Sequence, residues 1–163
     1  MSENANAMII FRIVCAVLMA WAVNWSLSRN EAIELLRVLP EMEILGPIAA
    51  AAIGFVNLSV RQGWGFIVAF ANGVWASVLS VLFSGVLYVV VEITRAFSNS
   101  VVRTFDNFLS IFSAVVQPLL TAVIDIPLLT ISLGAGALVG VITEVVHWTL
   151  VRMKARKRGP RIN

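Results

Sequence analysis

Two side chains that could handle a proton stand one helical turn apart near the end of the chain. Glu144 is the only charged residue between Ile126 and Val151, and His147 follows three positions later, within pairing reach on one helix. A carboxylate inside an apolar helix is by default a candidate for proton or cation handling. The alternative is structural: Glu144 pairs with His147, Arg61 or the arginines behind the helix, and so fixes how the helix docks.

The residue types argue against a metal, a pigment or an enzymatic centre. One histidine and one glutamate fall short of the three or so protein ligands that a metal site normally has. His147 lies close to the helix end, which disfavours it as a pigment ligand. Cys15, the only cysteine, permits no intramolecular disulfide. Because the sequence contains no nucleophile–base pair, phosphate-binding glycine loop or paired-carboxylate motif, we expect a protein that is not an enzyme and carries no cofactor.

Glycines at helical spacing indicate where other helices approach closely. Gly136 and Gly140 precede Glu144 at intervals of four, so the three form one stripe, which turns the carboxylate toward the bundle or a wet cleft. Small residues at such positions let helix backbones come into contact. The predicted helix-packing and intramembrane polar positions are Gly54, Asn72, Gly73, Gly136, Gly140, Glu144 and His147.

The composition places these helices in a membrane. Of the 163 residues, 60% are hydrophobic and only 13% are charged, and the mean hydropathy is +0.92. A soluble domain is about half apolar and about a quarter charged. A soluble domain of this length could not bury so much apolar surface, but several membrane spans could.

Four apolar segments are long enough to cross a hydrocarbon core of about 30 Å at about 1.5 Å per residue. They are residues 8–28, 44–60, 66–92 and 126–151, within a single integral membrane domain of residues 1–163. Residues 99–121 show apolar and polar faces with helical period, which predicts an amphipathic helix in the outer interface or against the bundle. We expect Pro118 to break or kink this helix. The alternative is a fifth span at residues 108–124.

The positive charges predict an orientation. The tail at residues 152–163 carries half of the twelve lysines and arginines: Arg152, Lys154, Arg156, Lys157, Arg158 and Arg161. Positive charge favours the cytoplasmic side of the bacterial inner membrane. An even number of spans then places both termini on that cytoplasmic side. We expect the tail to contact anionic lipid headgroups and not nucleic acid, because the net charge of +3 resides in a tail and not on a basic face.

The order of these motifs resembles the TrgA family of small bacterial inner-membrane proteins, named for an association with tellurite resistance. The shared pieces lie between Leu39 and Val151: Pro40-Glu41, Gly54, Arg61-x-Gly63-x-Gly65, Ala69-x-x-Asn72-Gly73, Arg103 with Phe105-Asp106, Phe112, Gly136-x-x-x-Gly140-x-x-x-Glu144 and Trp148. The chain departs from the family pattern at Trp64, in place of a second basic residue, and at Phe105-Asp106-Asn107-Phe108, in place of Tyr-Asp-Gly-Pro. The resemblance implies four helices and a link to oxyanion or oxidant stress, and it assigns no catalytic residues.

Three functions are compatible with these observations. The first is a TrgA-like, non-catalytic protein that affects tellurite or oxidant tolerance. The second is an accessory subunit of a photosynthetic or respiratory complex, suggested by the glycine-lined helices and the five tryptophans, with other transmembrane helices or further copies of the chain as partners. The third is a small transporter or channel subunit that uses Glu144.

Overall fold

Helices form the regular secondary structure of the chain where its structure is described, and short turns connect them. The structure, a computed structural model, describes residues 2–29, 32–60, 63–99, 105–123 and 126–157. Within these ranges the α-helices are α1 (Ser2–Leu27), α2 (Ile33–Val38), α3 (Met42–Val56), α4 (Phe66–Ser98), α5 (Phe105–Val123) and α6 (Ile126–Lys157), with a 3₁₀ turn at Leu58–Val60 after α3. The described ranges contain no strand, which confirms the predicted all-α class.

Four helices in these ranges are long and apolar enough to span a membrane, which confirms the predicted number. They are α1, α3 with its 3₁₀ turn, α4 and α6. All four extend beyond the predicted apolar spans: α3 begins two residues earlier, at Met42, α1 begins at Ser2, α4 reaches Ser98 and α6 reaches Lys157. The α6 extension at residues 152–157 is rich in arginine and lysine, which are good helix formers, and hydropathy does not decide where a helix ends.

The basic tail is therefore in part a continuation of α6. Arg152 is an exposed residue of the helix, and the backbone stays helical through Lys157. Arg158 and Arg161 lie outside the described residues. The same holds for Arg61, directly after the second predicted span, and for Asp125, directly before the fourth.

The spanning helices close into a ring. α1 packs against α3 and α6, and α4 packs against the same two helices. The rings of Phe11, near the start of α1, and His147, near the end of α6, meet edge to face with 5.9 Å between their centroids. The first and the last helix therefore have their outer ends on the same side of the bundle, here termed the termini end.

Small side chains fill the bundle, and large apolar side chains cover it. Cys15, Ala50 and Ala76 belong to the buried core, whereas Ile67 and Leu138 are exposed. In lipid an apolar exterior carries no penalty, and close approach of helix backbones provides the packing energy. This distribution is the one expected of helices surrounded by hydrocarbon.

α5 packs lengthwise against α4. The rings of Phe97 on α4 and Phe108 on α5 lie 6.5 Å apart, and further along Leu119 faces Gly85, so the two helices are antiparallel. α5 thus lies against the bundle, as one of the two predicted locations has it, and its position relative to the outer interface stays a prediction. Its apolar part is Asn107–Thr121, shorter than the four spans, so the structure does not support a fifth span at residues 108–124.

Pro118 does not break the helix, because α5 continues through it to Val123, and the predicted alternative, a kink, stays a prediction. Proline removes one backbone donor, and the hydroxyl of Thr121 donates to the Pro118 carbonyl at 2.8 Å. Leu119, directly after the proline, packs in a buried cluster with Leu39 and Tyr88. Tertiary packing on this side of the proline offsets the lost hydrogen bond.

Candidate functional site

The backbones of α4 and α6 come into contact at a set of glycines. A Cβ placed on Gly73 would lie 2.9 Å from the carbonyl carbon of Gly136, and one on Gly140 would lie 3.0 Å from the Cα of Gly73. Any larger residue there would force the helices apart. One turn away, the hydroxyl of Ser77 donates to the carbonyl of Ser132 at 3.2 Å. These contacts fix the register of α6 against α4.

Glu144 lies one turn beyond Gly140 on the same stripe, and it is 0% exposed. Its Oε2 accepts a hydrogen bond from the backbone N–H of Gly63 at 2.8 Å, and its Oε1 accepts one from the N–H of Gly65 at 3.0 Å. The indole N–H of Trp148 donates to Oε1 at 2.9 Å. Three donors thus replace the water that the carboxylate loses on burial, which is what a buried charged group requires.

The turn that supplies two of these donors requires glycine. Gly63 and Gly65 have φ angles of +92° and +100°, in the left-handed region that other residues enter only with strain. A Cβ on Gly63 would also stand 3.1 Å from Nε2 of His147, whereas one on Gly65 would meet nothing within 4 Å. The two positive φ angles aim the amides on either side of Trp64 at one carboxylate, as in backbone nests that bind anions. Residues 63–65 with Glu144 and Trp148 are termed the carboxylate turn.

The side chain between the two glycines points away from the bundle. Trp64 is 78% exposed. Together with Val60, Val68 and the half-buried Asn72 it lines a groove of about 290 Å³ at the termini end. The carboxylate turn therefore holds an exposed indole on a rigid backbone beside a groove.

The structure places the remaining predicted positions at three different locations. Gly54 lies at the α1–α3 crossing, where a Cβ would stand 3.0 Å from the Cβ of Met19. His147 lies beneath Gly63 and against Phe11, at the edge of the carboxylate turn. Gly73, Gly136 and Gly140 form the α4–α6 contact described above.

Among the described residues, the donors to Glu144 are two backbone amides and an indole, and not the imidazole of His147 that the sequence suggested. Arg61, the other predicted partner near this end, lies outside the described residues, so its pairing with Glu144 stays a prediction. Trp148 follows Glu144 at four positions, a spacing that places both on one helix face and could have indicated the contact. Gly63 and Gly65 left no comparable signal, because a backbone N–H is present at nearly every residue.

A second polar contact ties α3 to α4 at the opposite end of the bundle. The guanidinium of Arg95 lies 2.9 Å from Glu41, just before α3, and 2.7 Å from Glu92, one turn earlier on α4. The hydrogen bond from Arg95 holds the pKa of the Glu41 carboxyl below its usual value. The three groups are partly exposed, so water screens the attraction.

No protein-family model, curated protein or solved structure matches this chain. In the described parts of the chain, no three His, Cys, Asp or Glu residues stand close enough together to hold a metal ion. The fold and the site define the class: a small multi-pass α-helical membrane protein with a buried carboxylate that binds a glycine turn.

Proposed function

We propose that this chain is a non-catalytic accessory protein of the bacterial inner membrane, and that its carboxylate turn presents Trp64 to a partner membrane protein. The observation that carries the proposal is the use of a fully buried carboxylate to hold a three-residue turn whose middle side chain is 78% exposed. In this proposal Glu144 has a structural role, and the indole of Trp64 makes the contact with the partner.

The rigidity of the turn is what suits it to binding. Tryptophan is enriched among the residues that contribute most to protein interfaces. A side chain on a backbone held by two hydrogen bonds loses less conformational freedom on binding than one on a free loop. Val60 and Val68, which line the adjoining groove, extend the apolar contact surface beside the indole of Trp64.

The geometry favours this structural role over ion transport. A transport carboxylate must meet water or an ion along a path through the bundle. Glu144 is 0% exposed, and its two oxygens accept three hydrogen bonds from within the chain. These contacts favour a role in which the Glu144 carboxylate attaches α6 to the turn at residues 63–65. The donors within the chain stabilise its negative charge.

The proposed orientation has both termini in the cytoplasm. The contact between Phe11 and His147 keeps the outer ends of α1 and α6 on one side, and the basic residues at the end of α6 favour the cytoplasm for that side. Trp64 then lies at the cytoplasmic boundary of the membrane.

A photo-crosslinking amino acid at position 64 tests the proposal in cells. We expect a discrete protein adduct at position 64 that disappears when Glu144→Ala is added, and lipid adducts alone at position 67, where Ile67 is 87% exposed one turn away. Native gels in mild detergent should show the chain in a larger species. Lipid adducts alone at both positions, or migration as a free small protein, would refute the role.

We propose a link to tellurite or oxidant tolerance as the second candidate function, resting on the resemblance to the TrgA family. One observation favours it: Gly63, Gly65, Glu144 and Trp148, which carry part of that resemblance, meet in the carboxylate turn. Deleting the gene and titrating tellurite tests the link, with Glu144→Ala and the exposed-site control Glu43→Gln as complementing variants. Unchanged tolerance on deletion rules the function out.

A further inference from the structure

One arginine lies inside the first spanning helix. Arg12 belongs to the apolar part of α1, where it is partly exposed and its neighbours Ile9 and Ile13 are exposed. Its guanidinium stands over the ring of Phe55 on α3, 5.8 Å from the ring centroid. A charged side chain within a membrane span is costly and pairs with another group or extends to the interface. We therefore expect Arg12 to have an anionic partner.

The described part of the chain supplies no such anion. The ion pairs in it belong to Arg95, at the opposite end of the bundle. At the termini end, the oxygens of Glu144 already accept three hydrogen bonds from other groups. Glu3 precedes Arg12 by nine residues, which is about 14 Å along α1. An anion for Arg12 must then come from the surroundings of the bundle.

The depth of Arg12 brings lipid phosphate within its reach. Phe11, the residue before it, contacts His147 on α6. Five residues separate His147 from Arg152, the first charged residue after the apolar span, which is about 8 Å along the helix. Because the Cα–Cβ bonds of a helix tilt toward its N-terminus, the Arg12 side chain starts in the direction of this boundary. Arginine side chains near a helix end reach the headgroups in this way.

The surroundings of the guanidinium suit a phospholipid better than a free anion. No described residue accepts a hydrogen bond from Arg12, so its N–H groups are available as a fork that matches two oxygens of one phosphate. The ring of Phe55 attracts the cation and restricts its position. Ile13 on α1 and Val56 on α3 are exposed, apolar and next to the two residues in sequence. A free anion would have to leave water for this apolar surface, whereas the acyl chains of a lipid cover it.

We propose that Arg12 and Phe55 bind the phosphate of one phospholipid at the termini end, with the acyl chains of this lipid along Ile13 and Val56. The predicted contact of the basic tail needs only an anionic surface, whereas this site holds one lipid at a fixed position. Phospholipids of both leaflets carry the phosphate, so the site does not depend on the proposed orientation. It does not use Trp64 either, and the failure of one proposal leaves the other intact.

Phosphorus-to-nitrogen dipolar couplings in solid-state NMR test the site in the wild-type chain. The full chain, with isotope-labelled arginine side chains, is reconstituted in phosphatidylglycerol bilayers. We expect the guanidinium of Arg12 to show the coupling of a direct contact, in which nitrogen and phosphate oxygen lie about 2.7–2.9 Å apart. Arg12→Lys removes one arginine signal and so identifies it. Arg95, which has two carboxylate partners, is the internal control and should show no such coupling.

Native mass spectrometry in mild detergent measures how tightly one phosphatidylglycerol is retained. Arg12→Gln should weaken this retention by about tenfold, because it removes a charge-assisted bidentate contact. Arg12→Lys should weaken it less, since lysine keeps the charge without the fork. Arg29→Gln is the matched control and should leave retention unchanged. The guanidinium of Arg29 also stands over an aromatic ring, 4.0 Å from Trp25, but it is exposed beyond the end of α1.

Several outcomes would overturn the proposal. A wild-type chain without a phosphorus coupling at Arg12 would show that no lipid phosphate is bound, whether or not the variants fold. Equal retention by wild type and Arg12→Gln, or equal losses in Arg12→Gln and Arg29→Gln, would leave only unspecific attraction by positive charge. Displacement of the lipid by inorganic phosphate in the wild type, but not in Arg12→Gln, would assign the site to a free oxyanion.

Discussion

Replacing Glu144 should release the turn at residues 63–65, and two substitutions should do so to different extents. Glu144→Ala leaves three donors without an acceptor, all of them in partly buried contacts. Hydrogen bonds within membrane bundles contribute about 0.6 kcal/mol each and up to about 1.7. Three such bonds give a loss of about 2–5 kcal/mol in the free energy that holds the turn closed.

Glu144→Gln should have a smaller and asymmetric effect. With its amide oxygen at the position of Oε1, glutamine keeps the bonds from Gly65 and Trp148 and turns its NH₂ group toward the N–H of Gly63. Only the contact to Gly63 is lost, at about 1–2 kcal/mol. The reverse amide orientation would oppose two donors instead of one and is less favourable.

Hydrogen exchange at the two glycine amides measures both effects, since each 1.4 kcal/mol changes an opening equilibrium about tenfold. Glu144→Ala should accelerate exchange at Gly63 and Gly65 by about thirtyfold or more. Glu144→Gln should accelerate Gly63 by about tenfold and Gly65 clearly less. Glu43→Gln, an exposed site on α3, is the control. Unchanged exchange at both amides in Glu144→Ala would refute the structural role of the carboxylate.

Three further predictions concern the glycine turn, the α4–α6 contact and the ion pair between Arg95 and Glu41. Gly63→Ala and Gly65→Ala should both destabilise the protein by about 1–2 kcal/mol, because alanine is strained at a positive φ. The loss should be larger at Gly63, where the new Cβ meets the imidazole of His147. Unfolding in detergent measures both losses, and equal values would contradict the close approach between residue 63 and His147. Gly136→Ala should disrupt the α4–α6 contact, whereas Gly134→Ala, which meets nothing within 4 Å on the same helix, should be neutral or slightly stabilising in thermal melts. Glu41 has a lowered pKa in the folded protein, so its ion pair stabilises the fold above the ordinary carboxyl value of 4.5 and loses this contribution as the pH falls through the folded pKa. The effect is below about 1 kcal/mol because the pair is partly exposed, and the difference in unfolding midpoint between wild type and Glu41→Gln should vanish at acidic pH.

The behaviour of α5 shows where local sequence rules stop. Its periodicity predicts an amphipathic helix, and Pro118 within it predicts a break or a kink. The helix continues because Leu119 is packed against Leu39 and Tyr88, which belong to other segments of the chain. A local rule cannot account for contacts that form only when distant helices meet.

The sequence by itself determined the class of this protein and the number of its spans. Hydrophobicity and length within one segment decide whether a helix can cross about 30 Å of hydrocarbon, and neither depends on the rest of the chain. The glycine spacing likewise marks which face of α6 meets a neighbour. These properties are local, so they can be read before the fold is known.

Only the tertiary structure decided what Glu144 binds. Its two backbone donors lie 81 and 79 positions earlier in the chain, and they reach it because the glycines of α4 and α6 set the register between these helices. Two positive φ angles then turn the amides of Gly63 and Gly65 toward one carboxylate. Helix rotation, register and turn conformation are joint properties of distant segments, and no single segment encodes them.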